Sequence, residues 1–209
     1  TALDDGVVDT SYLVETGGGS WPMYGREMKD HNWRRGGYGT ISLSRSLEVS
    51  SNIGVSRIID QFYHKDPEKF VRGIYRTGLA LDFQIPLVGY AHARIRMPKK
   101  APNGRWVNWT NTALPWMSIG YETQIPPIST LAFYNAIANN GCMMRPRFVQ
   151  KVVRGGQTLM EFPPEAMKGY EQICKPKTLK EIQTILEHVV SQGLGKKAGS
   201  SSFKVAGKT

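Results

Sequence analysis

Proline and glycine cut this chain into short lengths, and that punctuation limits its folds more than any other feature. Gly (22) and Pro (12) occupy 34 of the 209 positions. Glycine frees the backbone and proline fixes it, so clusters of either end the element before them. A series of short amphipathic pieces joined by long loops is therefore expected. The chain is 40% hydrophobic and 21% charged, which suits one packed domain and excludes a disordered tract. No run approaches 18 uninterrupted apolar residues, so no transmembrane helix is expected within it. It opens on Thr1 without a signal-peptide pattern and stops at Thr209, and reads as part of a longer protein.

Residues 1–40 read as irregular loops, with Thr1–Asp5 as the tail of a helix capped by Gly6. Residues 41–195 read as a helical region. Ser42 opens one helix, Ser50-Ser51-Asn52 interrupts it, and a second starts near Ile53. Asp66-Pro67-Glu68 begins a third and Gly78 ends it. Residues 80–115 hold four prolines with little periodicity, the pattern of a surface excursion. Pro126-Pro127 opens another helix, closed by Asn140-Gly141. Two strand-like runs around Gly155-Gly156, near 148–160, predict a β-hairpin. Thr178 is the expected cap of the last helix, which runs to Gly193, and Phe203–Thr209 alternates like a strand. The expected fold class is mostly α with one small hairpin.

Composition excludes several functions. The net charge of +10 favours anionic partners. The basic residues are scattered, with no RNA-binding aromatic signature and no zinc-finger spacing, so no nucleic-acid partner is expected. Cys142 and Cys174 form no CxxC pair, and two cysteines make no disulfide scaffold. His31, His64, His92 and His188 lie far apart without metal-ligand spacing. No metal and no cofactor are expected.

Two segments could carry chemistry: Ser50-Ser51-Asn52 and Gly207-Lys208-Thr209. A phosphate loop would need glycine where Ser202 stands, and the preceding Phe203-Lys204-Val205 reads as strand, so the nucleotide reading fails. The alternative is serine acyl transfer, which combines Ser-x-x-Lys, Ser-x-Asn and Lys-Thr-Gly elements. A serine hydroxyl needs a nearby base before it becomes nucleophilic. A lysine serves when burial lowers its pKa. A strand edge ending in Lys-Thr suits an extended peptide with a terminal carboxylate.

With these motifs the chain resembles the transpeptidase domain of class B penicillin-binding proteins. Gly39–Gly54 resembles the segment leading into the second motif. Ser118-Ile119-Gly120-Tyr121 through Pro126-Pro127 and Tyr134–Gly141 resemble the family's Ser-Ile-Gly-Tyr stretch and following helix, and Val205–Thr209 resembles the third motif, cut before its final glycine. The resemblance spans most of the chain. It implies the helical part of an α/β, serine β-lactamase-like fold, with residues 1–209 a partial transpeptidase domain and 203–209 the start of the Lys-Thr-Gly strand. By resemblance, Ser50 is a proton-relay serine and Asn52 contacts the substrate and a lysine. Lys208 and Thr209 recognise the substrate carboxylate, and the middle residue Ser51 has no assigned role. The implied partners are muropeptide stems ending in D-Ala-D-Ala, β-lactams, and other cell-wall synthesis or division proteins. The implied location is the periplasmic face of the inner membrane, with an anchor outside these residues. No Ser-x-x-Lys precedes Ser50, so residues 1–209 alone are expected to be inactive. A D,D-carboxypeptidase or β-lactamase-like hydrolase, or a non-catalytic wall-binding module, remains open at this point.

Overall fold

A computed structural model describes residues 1–209. The first helix, α1 (Ala2–Asp5), ends at Gly6, whose φ of 71° lets the Gly6 and Val7 amides return to the Leu3 and Ala2 carbonyls. Residues 7–42 hold two small antiparallel ribbons, where the sequence suggested only loops. The strands β1 (Leu13–Glu15), β2 (Ser20–Met23), β3 (Arg26–Lys29) and β4 (Thr40–Ser42) pair as β1–β4 and β2–β3. Each has three or four residues, too few for alternation to register in the sequence.

The central helices follow as read. Helix α2 (Leu43–Glu48) is capped by Ser42, whose Oγ accepts the Arg45 amide. Helix α3 (Asn52–Tyr63) starts directly after the Ser50-Ser51 break and sends Ile53, Ile58, Ile59 and Tyr63 inward. Helix α4 (Pro67–Arg76) begins with Pro67 in its first turn, behind an Asp66 side chain that accepts the Lys69 amide. Helices α3 and α4 share a core with Val14, Leu43 and Ile95.

Residues 80–115 correct the surface reading. Phe83, Ile85, Ile95 and Leu114 are all buried. Strands β5 (Arg94–Ile95), β6 (Lys99–Lys100) and β7 (Trp106–Val107) precede α5 (Ala113–Met117). Pro115 obscures α5 in the sequence, yet it sits in the first turn, where an amide hydrogen has no helical acceptor to reach. Strand β8 (Thr123–Gln124) pairs with β5, and β6 with β7. Helix α6 (Pro127–Ala138) packs on the last helix through a second core of Ala136, Ile137, Leu179 and Leu186.

The predicted hairpin forms from β9 (Lys151–Arg154) and β10 (Gln157–Glu161). Its turn residues Gly155 and Gly156 have φ of 56° and 79°, the paired left-handed geometry that matches strand twist. Every residue of both strands is exposed, Val152, Val153, Leu159 and Met160 included. The last helix, α7 (Pro176–Ser191), starts earlier than Thr178 because Pro176 provides a ready first turn. Thr178 is buried inside that turn, and Asp4 accepts the Lys175 amide from across the fold. The expected strand at 203–209 is absent: these residues make no ladder, and every sheet is a two-stranded pair formed elsewhere. No helix is long and apolar enough to cross a membrane.

Gly54 sets how closely α2 and α3 approach. A Cβ there would lie 2.3 Å from Ser46 Oγ and 2.8 Å from Ser46 Cβ. Alanine would gain helix propensity, but the overlap outweighs it, since overpacking costs about 1–3 kcal/mol. Thermal unfolding of full-length Gly54→Ala should show a loss of about 1–2 kcal/mol. An unchanged or raised Tm would contradict the close contact.

Candidate active site

The α2–α3 loop is short and conformationally forced. Ser50 has a φ of 51°, a region that side-chain-bearing residues rarely enter. The Ser50 amide reaches the Leu47 carbonyl and the Ser51 amide the Ser46 carbonyl, closing α2. From the other side, the 1%-exposed Asp30 carboxylate accepts the Ser51 hydroxyl at 2.7 Å and the Ile53 amide at 3.0 Å. Ser51 Oγ in turn accepts the Gly54 amide. Ser51, given no role by sequence, is thus the cap of α3, and Asp30 places a negative charge at that positive helix end.

The adjacent residue of β3 holds Asn52. Its Nδ2 donates to the Lys29 carbonyl at 2.9 Å. Asn52 makes no hydrogen bond to Lys208 or Thr209. The other three predicted residues meet directly. Ser50 Oγ lies 2.9 Å from Thr209 Oγ1 and donates to the Thr209 carbonyl at 3.0 Å. Lys208 Nζ donates to Ser50 Oγ, and to the Thr209 carbonyl at 2.6 Å. Burial pushes Lys208 below the ordinary lysine range.

The tail that delivers Lys208 rides on α7. The Gly207 amide donates to the Leu186 carbonyl at 3.1 Å. Helix α7 is locked to α2 through Glu48, which is 6% exposed. One Glu48 oxygen accepts Arg45 at 3.0 Å, and the other faces His188 Nδ1 at 3.1 Å. Arg45 also donates to the Gln192 carbonyl, and the Leu194 amide to the Glu48 carbonyl. Sequence reasoning missed Asp30 and Glu48, because a buried carboxylate carries no periodic signal.

The one Ser-x-x-Lys spacing in the chain, Ser201 to Lys204, is not part of this site. It lies in an exposed bend, and Lys204 is paired with Glu187 at 3.2 Å. Neither Ser201 nor Lys204 is hydrogen-bonded to Ser50, Lys208 or Thr209.

Known proteins share the sequence family and the fold. The family model described as the penicillin-binding protein transpeptidase domain matches residues 1–209. Penicillin-binding protein PbpB of Mycolicibacterium smegmatis is 23% identical over 218 residues, covering all of this chain and 31% of the relative. A peptidoglycan glycosyltransferase structure from Burkholderia ambifaria superimposes with a TM-score of 0.75 at 28% identity, covering 99% of this chain and 58% of that one. The transpeptidase domain of Burkholderia pseudomallei penicillin-binding protein 3 gives 0.74 at 28%, covering 99% and 55%. The chain therefore spans about a third of the curated relative and somewhat over half of these structures. With few short strands and seven helices, it holds the helical part of that fold. The chain belongs to the penicillin-binding protein transpeptidase domain family, on its class B side.

Proposed function

We propose that residues 1–209 supply the proton-relay and carboxylate-binding half of a peptidoglycan D,D-transpeptidase that acts through a serine acyl-enzyme. The observation carrying this is the junction of Ser50 Oγ with Lys208 Nζ and Thr209 Oγ1, groups 158 and 159 residues apart in sequence. A nucleophilic serine outside these residues passes its proton to the lysine of its own Ser-x-x-Lys element and attacks the penultimate D-alanine carbonyl of a stem. As the tetrahedral adduct collapses, the Ser50 hydroxyl gives its proton to the leaving D-alanine nitrogen, and Lys208 replaces that proton. The Thr209 hydroxyl and the Lys208 charge hold the terminal carboxylate, while the Asn52 amide holds the substrate backbone. A second stem's amine then attacks the ester and releases the serine. A penicillin enters as a mimic of the stem terminus and stops at the ester. The protein works at the cell envelope, on the outer face of the inner membrane, alongside other wall-synthesis proteins.

Three outcomes test this. Asn52→Ala in the full-length protein should slow acylation by penicillin roughly a hundredfold, the scale of losing one oriented amide at a reacting carbonyl. Ser51 caps α3, so the same change should alter stability by no more than about 1 kcal/mol. Acylation within a factor of two of wild type would remove Asn52 from the site.

The lowered Lys208 pKa gives a sign for pH. Lys208 must carry a proton to replace the one Ser50 gives up, so the acylation rate should hold at lower pH and fall as pH rises through the lowered Lys208 pKa, below the ordinary lysine value near 10.5. Lys208→Arg stays charged and should lose that falling limb. A limb that persists in the arginine variant would assign it to another group.

Finally, residues 1–209 expressed alone should take up no covalent fluorescent penicillin, since the only Ser-x-x-Lys in them is solvated. Stoichiometric labelling on a denaturing gel would refute the assignment of the nucleophile to another segment.

A further inference from the structure

We propose that the cavity at the C-terminal end of α3 is a subsite for a carboxylate-bearing amino-sugar strand, the glycan part of the polymer whose stems reach Ser50. This rests on the transpeptidase reading for its biological context, and on the cavity's own chemistry for the ligand class. The cavity holds about 390 Å³, within the range of small-ligand pockets. Two indoles, Trp106 and Trp109, line it together with His64, Lys65, Arg105 and Asn111. Indole faces suit the apolar faces of a pyranose ring, and amide and imidazole groups suit its hydroxyl edges.

The walls are preorganised. Trp109 packs against the main core. Trp106 is set in the β6–β7 ladder opposite Lys100, whose ammonium lies 4.6 Å from the ring centroid. The His64 ring stacks on Tyr24, and its Nδ1 is shared between Asp60 and the Tyr24 hydroxyl. Lys65 and Arg105, by contrast, have no carboxylate partner in the fold. Two cations without a carboxylate partner beside two indoles, one ring already covered on one side by Lys100, select an anionic ring-bearing ligand over a neutral one.

Placement joins this cavity to the site. Asn52 opens α3 and His64 directly follows its end. Twelve helical residues span about 18 Å. An extended peptide covers roughly 3.3–3.6 Å per residue, so a stem of about five residues bridges the two ends. The β2–β3 ribbon runs alongside, touching Asn52 through Lys29 and His64 through Tyr24.

The test titrates full-length protein with purified glycan strands stripped of their stems, whose lactyl groups carry free carboxylates. Acylation by fluorescent penicillin is measured in parallel. Wild type should bind the strands, more weakly as salt is raised. Trp106→Ala and, separately, the exposed Arg105→Ala should bind roughly tenfold more weakly, the scale of one stacked ring or one charge contact. Both should acylate normally. If Trp106→Ala fails to acylate, its fold is suspect and Arg105→Ala decides. No binding by wild type, or equal binding by the deciding variant, overturns the subsite. Glycan binding with absent wild-type acylation would instead overturn the transpeptidase reading and leave the subsite standing.

Discussion

The junction between α2 and α7 rests on one buried carboxylate. Glu48 accepts Arg45 and meets His188, so a single side chain joins the helix before Ser50 to the helix beneath the tail. A carboxylate this buried is costly unless its oxygens are both engaged, and here they are. The main-chain carbonyl of the same residue accepts the Leu194 amide, and Gly193 lies so close that a Cβ would stand 2.2 Å from it. The distance from Ser50 to Lys208 is therefore set by packing, not by the length of chain between them.

Asp30 completes the frame from the opposite side. It fixes Ser51 and Ile53 where α3 begins, while Lys29 beside it takes the Asn52 amide. Ser50 is left in a left-handed backbone conformation between two anchored flanks. Such a conformation persists where the surroundings over-determine it, and it is typical of positions that must present one atom in one direction. The chemistry assigned to Ser50 needs that: a hydroxyl shared between a lysine and a threonine, with no freedom to turn away.

Local signals were the legible part. Ser42, Asp66 and Gly6 mark helix ends by side-chain or backbone chemistry that acts within three residues, and each does so in the fold. The Gly-Gly turn of the hairpin is of the same kind. Ser50, Asn52, Lys208 and Thr209 could be named from motif resemblance, but their contacts are long-range and appear only in three dimensions. The β1–β4 ribbon escaped because its partners lie far apart in the chain, such as Val14 against Ile41, and β2–β3 and α5 because each is too short for a period to show. The extended tail failed as a strand for the matching reason: alternation supplies a face, but a ladder needs a neighbour.

The β9–β10 ribbon stands apart from this frame. Valine, leucine and methionine lie in the open on it, and neither outer rim is paired with another strand. Two strands without a covering layer are marginal in water, and bare rims invite further strands from other chains. For anyone purifying this segment, the tendency to clump with rising concentration will originate at that exposed ribbon, leaving the Ser50 site a bystander.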